Sequence, residues 1–329
     1  MKKQKLNIPD DIYSSAEYVM NRANHVSIDA SKLSAMAKLV RNHFNRGFGT
    51  VEEAFGTAGN LEKDVNLLFF ETATNFCFWS QDPKNKWKVK HGNNISGGWY
   101  GLRNAYMRAI DNGVPVFDAS YMSQLTIDKA EEIFRGEADI QIPLLEQRVN
   151  NIVESANYLI RHHSGSALRF VENCMFDAPT IAQTLTSALT SYRDGAMYDG
   201  RWVWFLKRAQ IFPNDISQLE SKYPEFTIKN KNKLTIFADY KLPQLLRYAG
   251  VLKYTKELSF RVDNQQLINS FSEEEVEIRM ATILACKKLG EMCPDISIAD
   301  IDVSLWLISK RPDIDEKMSP HHMTVSNFY

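Results

Sequence analysis

The stretch 143–163 constrains the fold of this chain most. Leu144, Leu145, Val149, Ile152, Val153, Ala156, Leu159 and Ile160 recur at intervals of three and four behind Pro143. That spacing lays one apolar stripe along a helix and no continuous face along a strand. Proline just inside the start suits a helical first turn, where its missing N–H removes nothing. A helix with one such stripe must bury it against other elements, and the same rhythm supplies them. It predicts helices over 28–44, 61–79, 99–111, 126–135, 167–173, 179–192, 201–211, 273–292 and 298–309. The stretch 61–79 is apolar enough to be buried on several sides. Thr126 reads as an N-cap, and Gly136 as a left-handed C-cap ending the same helix.

Strand signals are few. A short strand at 234–238 and half of a small ribbon at 87–90 are expected, the latter inside a polar loop over 81–98 long enough for a mobile cover or a hairpin. No Gly/Ser linker, low-complexity tract or internal repeat divides the chain. The expected fold is therefore mainly α: a single multi-helix globular domain over 1–329, with about a dozen helices and at most a short β element. A two-lobed helical arrangement with a cleft is the alternative.

The charge balance narrows the partners. Lys+Arg 39 against Asp+Glu 40 leaves a net charge of -1, so no global field draws the chain to nucleic acid or to an anionic membrane, and any phosphate must be met locally. Cys77, Cys174, Cys286 and Cys293 form no CxxC pair or metal-ligand rhythm, which suits a reducing compartment and argues against structural zinc. The basic start MKKQKLNIPDD lacks an apolar core, and no window approaches about eighteen apolar residues. A soluble cytoplasmic protein is expected.

Four stretches carry candidate chemistry. In LTIFADYKLPQ, Asp239 lies between Phe237, Ala238, Tyr240 and Leu242, where a carboxylate loses hydration and must find donors or a ligand cation, or carry a raised pKa. It reads either as an active-site acid or as the cap of a helix starting near Lys241. In NFCFW, Phe76, Phe78 and Trp79 offer either a core plug or a platform for a planar base, worth about 1–3 kcal/mol per stacked ring. In RWVWFLKRAQI, a helical reading puts Lys207 on the face of Val203 and Trp204, either snorkelling outward or aimed into a cavity that takes a phosphate. Asp302, four before Trp306, puts an acid and an indole on one helical face, able to read a purine-like edge. The charged start EVEIR at 275–279 reads as a solvated face. No Walker loop, GxGxxG, HExxH or GxSxG pattern occurs, and the histidine pairs 162–163 and 321–322 are adjacent rather than on one face.

These blocks together resemble the queuosine salvage protein family, the queuosine 5′-phosphate N-glycosylases/hydrolases. The likeness is carried by NFCFWS at 75–80, SGGWYGL at 96–102, ASY at 119–121, IPLLEQR at 142–148, SYRD at 191–194, FLKRAQI at 205–211, FADYKLPQ at 237–244, LKY at 252–254 and EVEIR at 275–279. The resemblance implies a helical fold similar to DNA glycosylases and cleavage of the bond between the 7-deazaguanine base queuine and ribose 5-phosphate, without a cofactor or metal. It also implies that Asp239 is the catalytic carboxylate, that Lys207 lies near the 5′-phosphate, that Phe76, Phe78, Trp79, Phe237 and Tyr240 line the pocket, and that Asp302 faces the base. Two departures stand out: Lys241 replaces a frequent arginine, and Leu307 follows Trp306 where the family has an acid. The implied partner is a small nucleotide rather than a stable nucleic-acid complex. The alternative from another class is a non-enzymatic helical module that binds a modified nucleoside or RNA.

Overall fold

A computed structural model describes residues 6–47, 58–80, 82 and 85–329. Lys2, Lys3 and Lys5 of the basic start, and Gln81, Pro83 and Lys84 of the expected loop, lie outside the described residues.

The chain runs α1 (Asp10–Met20), β1 (Val26–Ile28), α2 (Leu33–Phe44), α3 (Leu61–Ala73), β2 (Lys88–His91), β3 (Asn94–Gly97) and α4 (Gly98–Asp111). There follow α5 (Ala119–Met122), α6 (Ile127–Phe134), α7 (Leu145–His163), α8 (Ala167–Asn173) and α9 (Ala178–Ala188). The second half holds β4 (Gly195–Tyr198), β5 (Arg201–Trp204), α10 (Lys207–Ser217), α11 (Lys241–Tyr248), β6 (Leu252–Tyr254) and α12 (Lys256–Asp263). It ends with α13 (Glu273–Met292), α14 (Ile298–Ile308) and α15 (Pro312–Asp315). The fold is mainly α, as expected, with three antiparallel two-stranded ribbons, β1–β6, β2–β3 and β4–β5.

Two long helices organise the packing. The stripe of α7 packs on α3, α5, α6 and α8, while α13 packs on α1, α2, α11, α14 and the β1 strand. Between them α10 packs on α3 and α9, and one contiguous apolar core runs from Ile8 to Met318. Side-chain caps start several helices, among them Asn60 on α3, Thr126 on α6, Asp177 on α9, Ser272 on α13 and Ser297 on α14.

The departures from expectation sit at irregular backbone. Helix α3 stops at Ala73, and 74–79 is not helical; the Arg148 guanidinium holds this irregular backbone inside the core, donating to the carbonyls of Thr74, Phe76 (2.5 Å) and Cys77 (3.0 Å). Residues 201–204 form β5 rather than helix, paired Gly195↔Trp204 through Tyr198↔Arg201. Lys207 is consequently the first residue of α10, not a mid-helix residue behind Val203. Residues 28–32 also leave the expected helix, Ile28 pairing with Leu252. The stretch 234–238 is buried but pairs as no strand, its backbone held instead by side chains. The ribbon expected around 87–90 is present as β2–β3. It lies so close to α4 that a Cβ on Gly101 would stand 2.6 Å from the Ser96 carbonyl oxygen. Gly136 is needed for closeness too rather than for a left-handed turn: its φ is −90°, and a Cβ there would meet the Lys88 carbonyl oxygen at 2.7 Å.

Candidate active site

The EVEIR block of α13 is the largest surprise of the charged residues. Glu275, Glu277 and Arg279 are all 0% exposed, where a solvated face was expected. Arg279 donates from Nη1 and Nη2 to the two oxygens of Asp194, at 2.8 and 2.7 Å, and from Nε to the Ala238 carbonyl at 3.1 Å. The Phe205 and Tyr329 rings sandwich its guanidinium, 3.8 and 4.1 Å from the two centroids. Burial alone lowers the basicity of such a group, yet the charges of Asp194 and Glu275 carry it above the ordinary arginine value.

Asp194 passes this anchorage to α10. Its backbone carbonyl accepts from the N–H groups of Phe205 (3.0 Å) and Leu206 (3.2 Å), and its Oδ2 accepts from the Lys207 N–H at 2.9 Å. Leu206 is held with φ 58°, a left-handed conformation that a branched residue adopts only when its surroundings impose it. The turn starts α10 so that Lys207 projects into the interior. The Lys207 Nζ donates to the Asn75 carbonyl at 3.0 Å, which ties the NFCFW segment to the same point. A further buried arginine, Arg208, donates to the carbonyls of Ala73 (2.8 Å) and Ser191.

The Arg279 bond to Ala238 fixes the backbone beside Asp239. Upstream, Thr235 donates its N–H to Gln210 Oε1 at 2.8 Å, fastening 234–239 to α10. Asp239 Oδ1 accepts from the N–H groups of Lys241 (2.8 Å) and Leu242 (3.0 Å). The acid thus caps α11 with one oxygen, as one reading expected, while also lining a cavity. The two roles coexist because a carboxylate has acceptor capacity to spare. Asp239 is 8% exposed.

Two chambers meet at this acid. The larger, about 110 Å³, is lined by Trp99, Lys207, Ile211, Asn214, Asp215, Gln218, Phe237, Asp239, Asp302 and Trp306 among others. The smaller, about 40 Å³, is lined by Phe76, Phe78, Gly98, Tyr240, Lys241, Lys310 and Tyr329. Asn75, Trp99, Lys207, Asp239 and Trp306 belong to both and form the common wall. Of the residues singled out from sequence, Lys207, Phe237, Asp239, Asp302 and Trp306 converge on the larger chamber, and Phe76, Phe78 and Tyr240 on the smaller. Trp79 lines neither; it faces an outer groove beside His321. Trp99 adds an aromatic wall, its ring edge-on to Trp306 at 6.0 Å.

Sequence reading missed Asn214, Asp215 and Gln218 on the far wall. Their signal was present: 207, 211, 214, 215 and 218 follow helical spacing on α10 and the turn after it, and become visible as one face only once the helix is known to start at Lys207. It missed Lys310 at the mouth as well.

Charge in the cavity is mutually adjusted. Burial pulls the Lys207 pKa down to about 8 against the opposing pull of Asp239 and Asp302. Burial, and next the charge of Asp239, push Asp302 well above the carboxylate range, and its Oδ2 accepts from the Phe237 N–H at 3.4 Å. Burial pushes Asp215 up to about 7. Removal of either member of the Arg279–Asp194 pair strands a buried charge. Arg279→Met and Asp194→Asn are each expected to lower the unfolding free energy by roughly 3–5 kcal/mol, with the double variant far less destabilised than the sum. Urea denaturation of all four proteins in the cycle measures the coupling.

Comparison with known proteins agrees with the geometry. A family profile described as queuosine salvage protein matches residues 56–329. A Bos taurus protein named queuosine 5′-phosphate N-glycosylase/hydrolase is 30% identical, over 96% of this chain and 97% of its own. A Sphaerobacter thermophilus protein of the same name is 32% identical, over 80% of this chain and 81% of its own. A Schizosaccharomyces pombe protein of that name is 24% identical over 91% of each. With its profile matched along most of its length and relatives of that name at 30% identity and above, the chain belongs to the queuosine salvage protein family.

Proposed function

We propose that this protein is a hydrolase of N-glycosyl bonds that cleaves queuosine 5′-phosphate to queuine and ribose 5-phosphate, supplying the base for tRNA modification. The names carried by its relatives support the reaction. The observation that carries the assignment of residues is the position of Asp239 on the wall common to a chamber that holds Asp302, Phe237 and Trp306 and one that holds Lys241 and Lys310. A nucleotide has the same layout: a flat base, a phosphate, and between them the anomeric carbon where the bond breaks.

In this reading the base enters the larger chamber against Trp306, Trp99 and Phe237, with Asp302 at its polar edge. The ribose 5-phosphate extends into the smaller chamber. There Lys241, Lys310 and the shared Lys207 supply positive charge, and Phe76, Phe78 and Tyr240 its aromatic walls. Lys241 is held in place by Asp315, 2.9 Å from its Nζ. Trp79 has no direct part. The whole chain works as one catalytic domain in the cytoplasm, and the four cysteines are free thiols, in keeping with a reducing compartment.

The chemistry follows from the charges. As the glycosidic bond lengthens, positive charge grows on the anomeric carbon and negative charge on the base. Asp239 faces the first. It serves as electrostatic stabiliser, as nucleophile or as base toward water, three roles that share the requirement for an ionised carboxylate. A 7-deazapurine has carbon where guanine has N7, so protonation there cannot activate it. Burial and the neighbouring charge of Asp239 favour the protonated form of Asp302, which in that form is suited to donate a hydrogen bond to the departing base. Phosphate binding at the lysines spends remote binding energy on orienting the ribose.

Incubation with queuosine 5′-phosphate should release free queuine, detected chromatographically; no release from the folded wild-type protein rejects the assignment. Asp239→Asn is expected to lower kcat by on the order of 10³-fold or more, while its amide oxygen keeps the cap of α11 and the variant stays folded by circular dichroism. Lys310→Ala should raise KM for the nucleotide by roughly 10-fold with little change for the unphosphorylated nucleoside. Equal effects on both substrates in steady-state assays would remove Lys310 from the phosphate site.

A further inference from the structure

We infer that Asp215 and Asn214, on the far wall of the larger chamber, bind a positively charged amine carried by the base, and so make the enzyme selective for a 7-aminomethyl-type substituent. The inference rests on the reading above.

Three carboxylates, Asp215, Asp239 and Asp302, line this chamber, with Lys207 as the one cation among its described lining residues. Lys207 is already committed. Its Nζ donates to the Asn75 carbonyl, and the charge of Asp239 is the largest pull that sustains its protonation. Asp215 has no ion pair among the described residues, and its contact with the Asn214 Nδ2 is long, at 3.4 Å. The charge of Glu71 opposes ionisation of Asp215, and the charges of Lys207 and Arg103 favour it.

Asn214 supplies an independent observation. It is 3% exposed and lines the same wall. With Nδ2 turned toward Asp215, its Oδ1 has no donor among the described residues. A buried amide oxygen without a donor is unfavourable, and here it lies next to an unpaired acid. The pair asks for a group that brings two N–H bonds and a positive charge. A protonated secondary amine has both, and queuine carries one on the arm at its position 7. Nor do the described residues include a group of three His, Cys, Asp or Glu side chains able to hold a metal ion, so the acids are not gathered as a metal cage.

The competing occupant is the N1–H and 2-amino edge of the ring, which also offers two N–H bonds but no full charge. The acid of the pair favours the amine: Asp215 has no ion pair among the described residues, and a carboxylate gains more from a charged donor than from a neutral ring edge.

The test compares queuosine 5′-phosphate with 7-deazaguanosine 5′-phosphate, which lacks the arm, by following base release. The wild-type protein should prefer the amine-bearing nucleotide. In Asp215→Asn the ratio of kcat/KM for the two nucleotides should fall by about 10-fold or more, and in Asn214→Leu it should fall in the same direction. Because each ratio is taken within one variant, partial unfolding does not alter it. Equal losses on both nucleotides would assign Asp215 to the ring edge and overturn the inference, as would an unchanged ratio or a wild-type protein without preference. Failure of the wild-type protein to release queuine at all would overturn the N-glycosidase reading itself.

Discussion

The interior of this protein depends on the ion pair between Arg279 and Asp194. Its desolvation is expensive, and a buried pair repays it only when geometry is good and the remaining donors are used. Both conditions hold: the fork meets both carboxylate oxygens, the third donor reaches the Ala238 carbonyl, and two aromatic rings cover the guanidinium. The pair also joins segments far apart in sequence. Asp194 seats the backbone of Lys207, and Arg279 seats the backbone next to Asp239. The lysine and the acid on the common wall therefore share one support.

Arg148 and Arg208 extend the same solution. Irregular backbone buried in a core leaves carbonyls without helix or sheet partners, and each must be satisfied. Around the cavity these carbonyls belong to 72–77 and 191, and guanidinium groups with several donors each collect them. The Phe76 ring lies between the two arginines, 4.3 and 5.3 Å from their guanidinium carbons. The segment is thereby rigid without being regular, a property suited to presenting side chains at fixed positions to a ligand. The two chambers then divide the electrostatics, with acids concentrated in the larger and lysines around the smaller, and Asp239 and Lys207 between.

Much of the scaffold was legible. Helix 145–163 declares itself through spacing, and 273–292 and 298–308 also through the capping residues Ser272 and Ser297 adjacent in sequence, since both signals are local. Reading failed where a distant partner decides. Residues 201–204 carry a dense apolar pattern that fits either period, and only pairing with 195–198 makes them a strand. Residues 74–79 continue an apolar helix by composition, and distant donors, Arg148 and Lys207 among them, hold them in irregular backbone instead. EVEIR looks like a solvated face because nothing nearby in sequence reveals its partners at Asp194 and Ala238.

Sequence by itself thus determined the helical class, the charge balance that requires any phosphate to be met locally, and, through ordered motif blocks, the family. Tertiary structure alone decided that Asp239 both caps a helix and faces a cavity, that Trp79 stands outside it, and that Asn214 and Asp215 share its far wall with Asp302. The physical reason is range. Periodicity and capping act over a few residues and are written along the chain, whereas desolvation and ion pairing depend on which distant groups close around a charge.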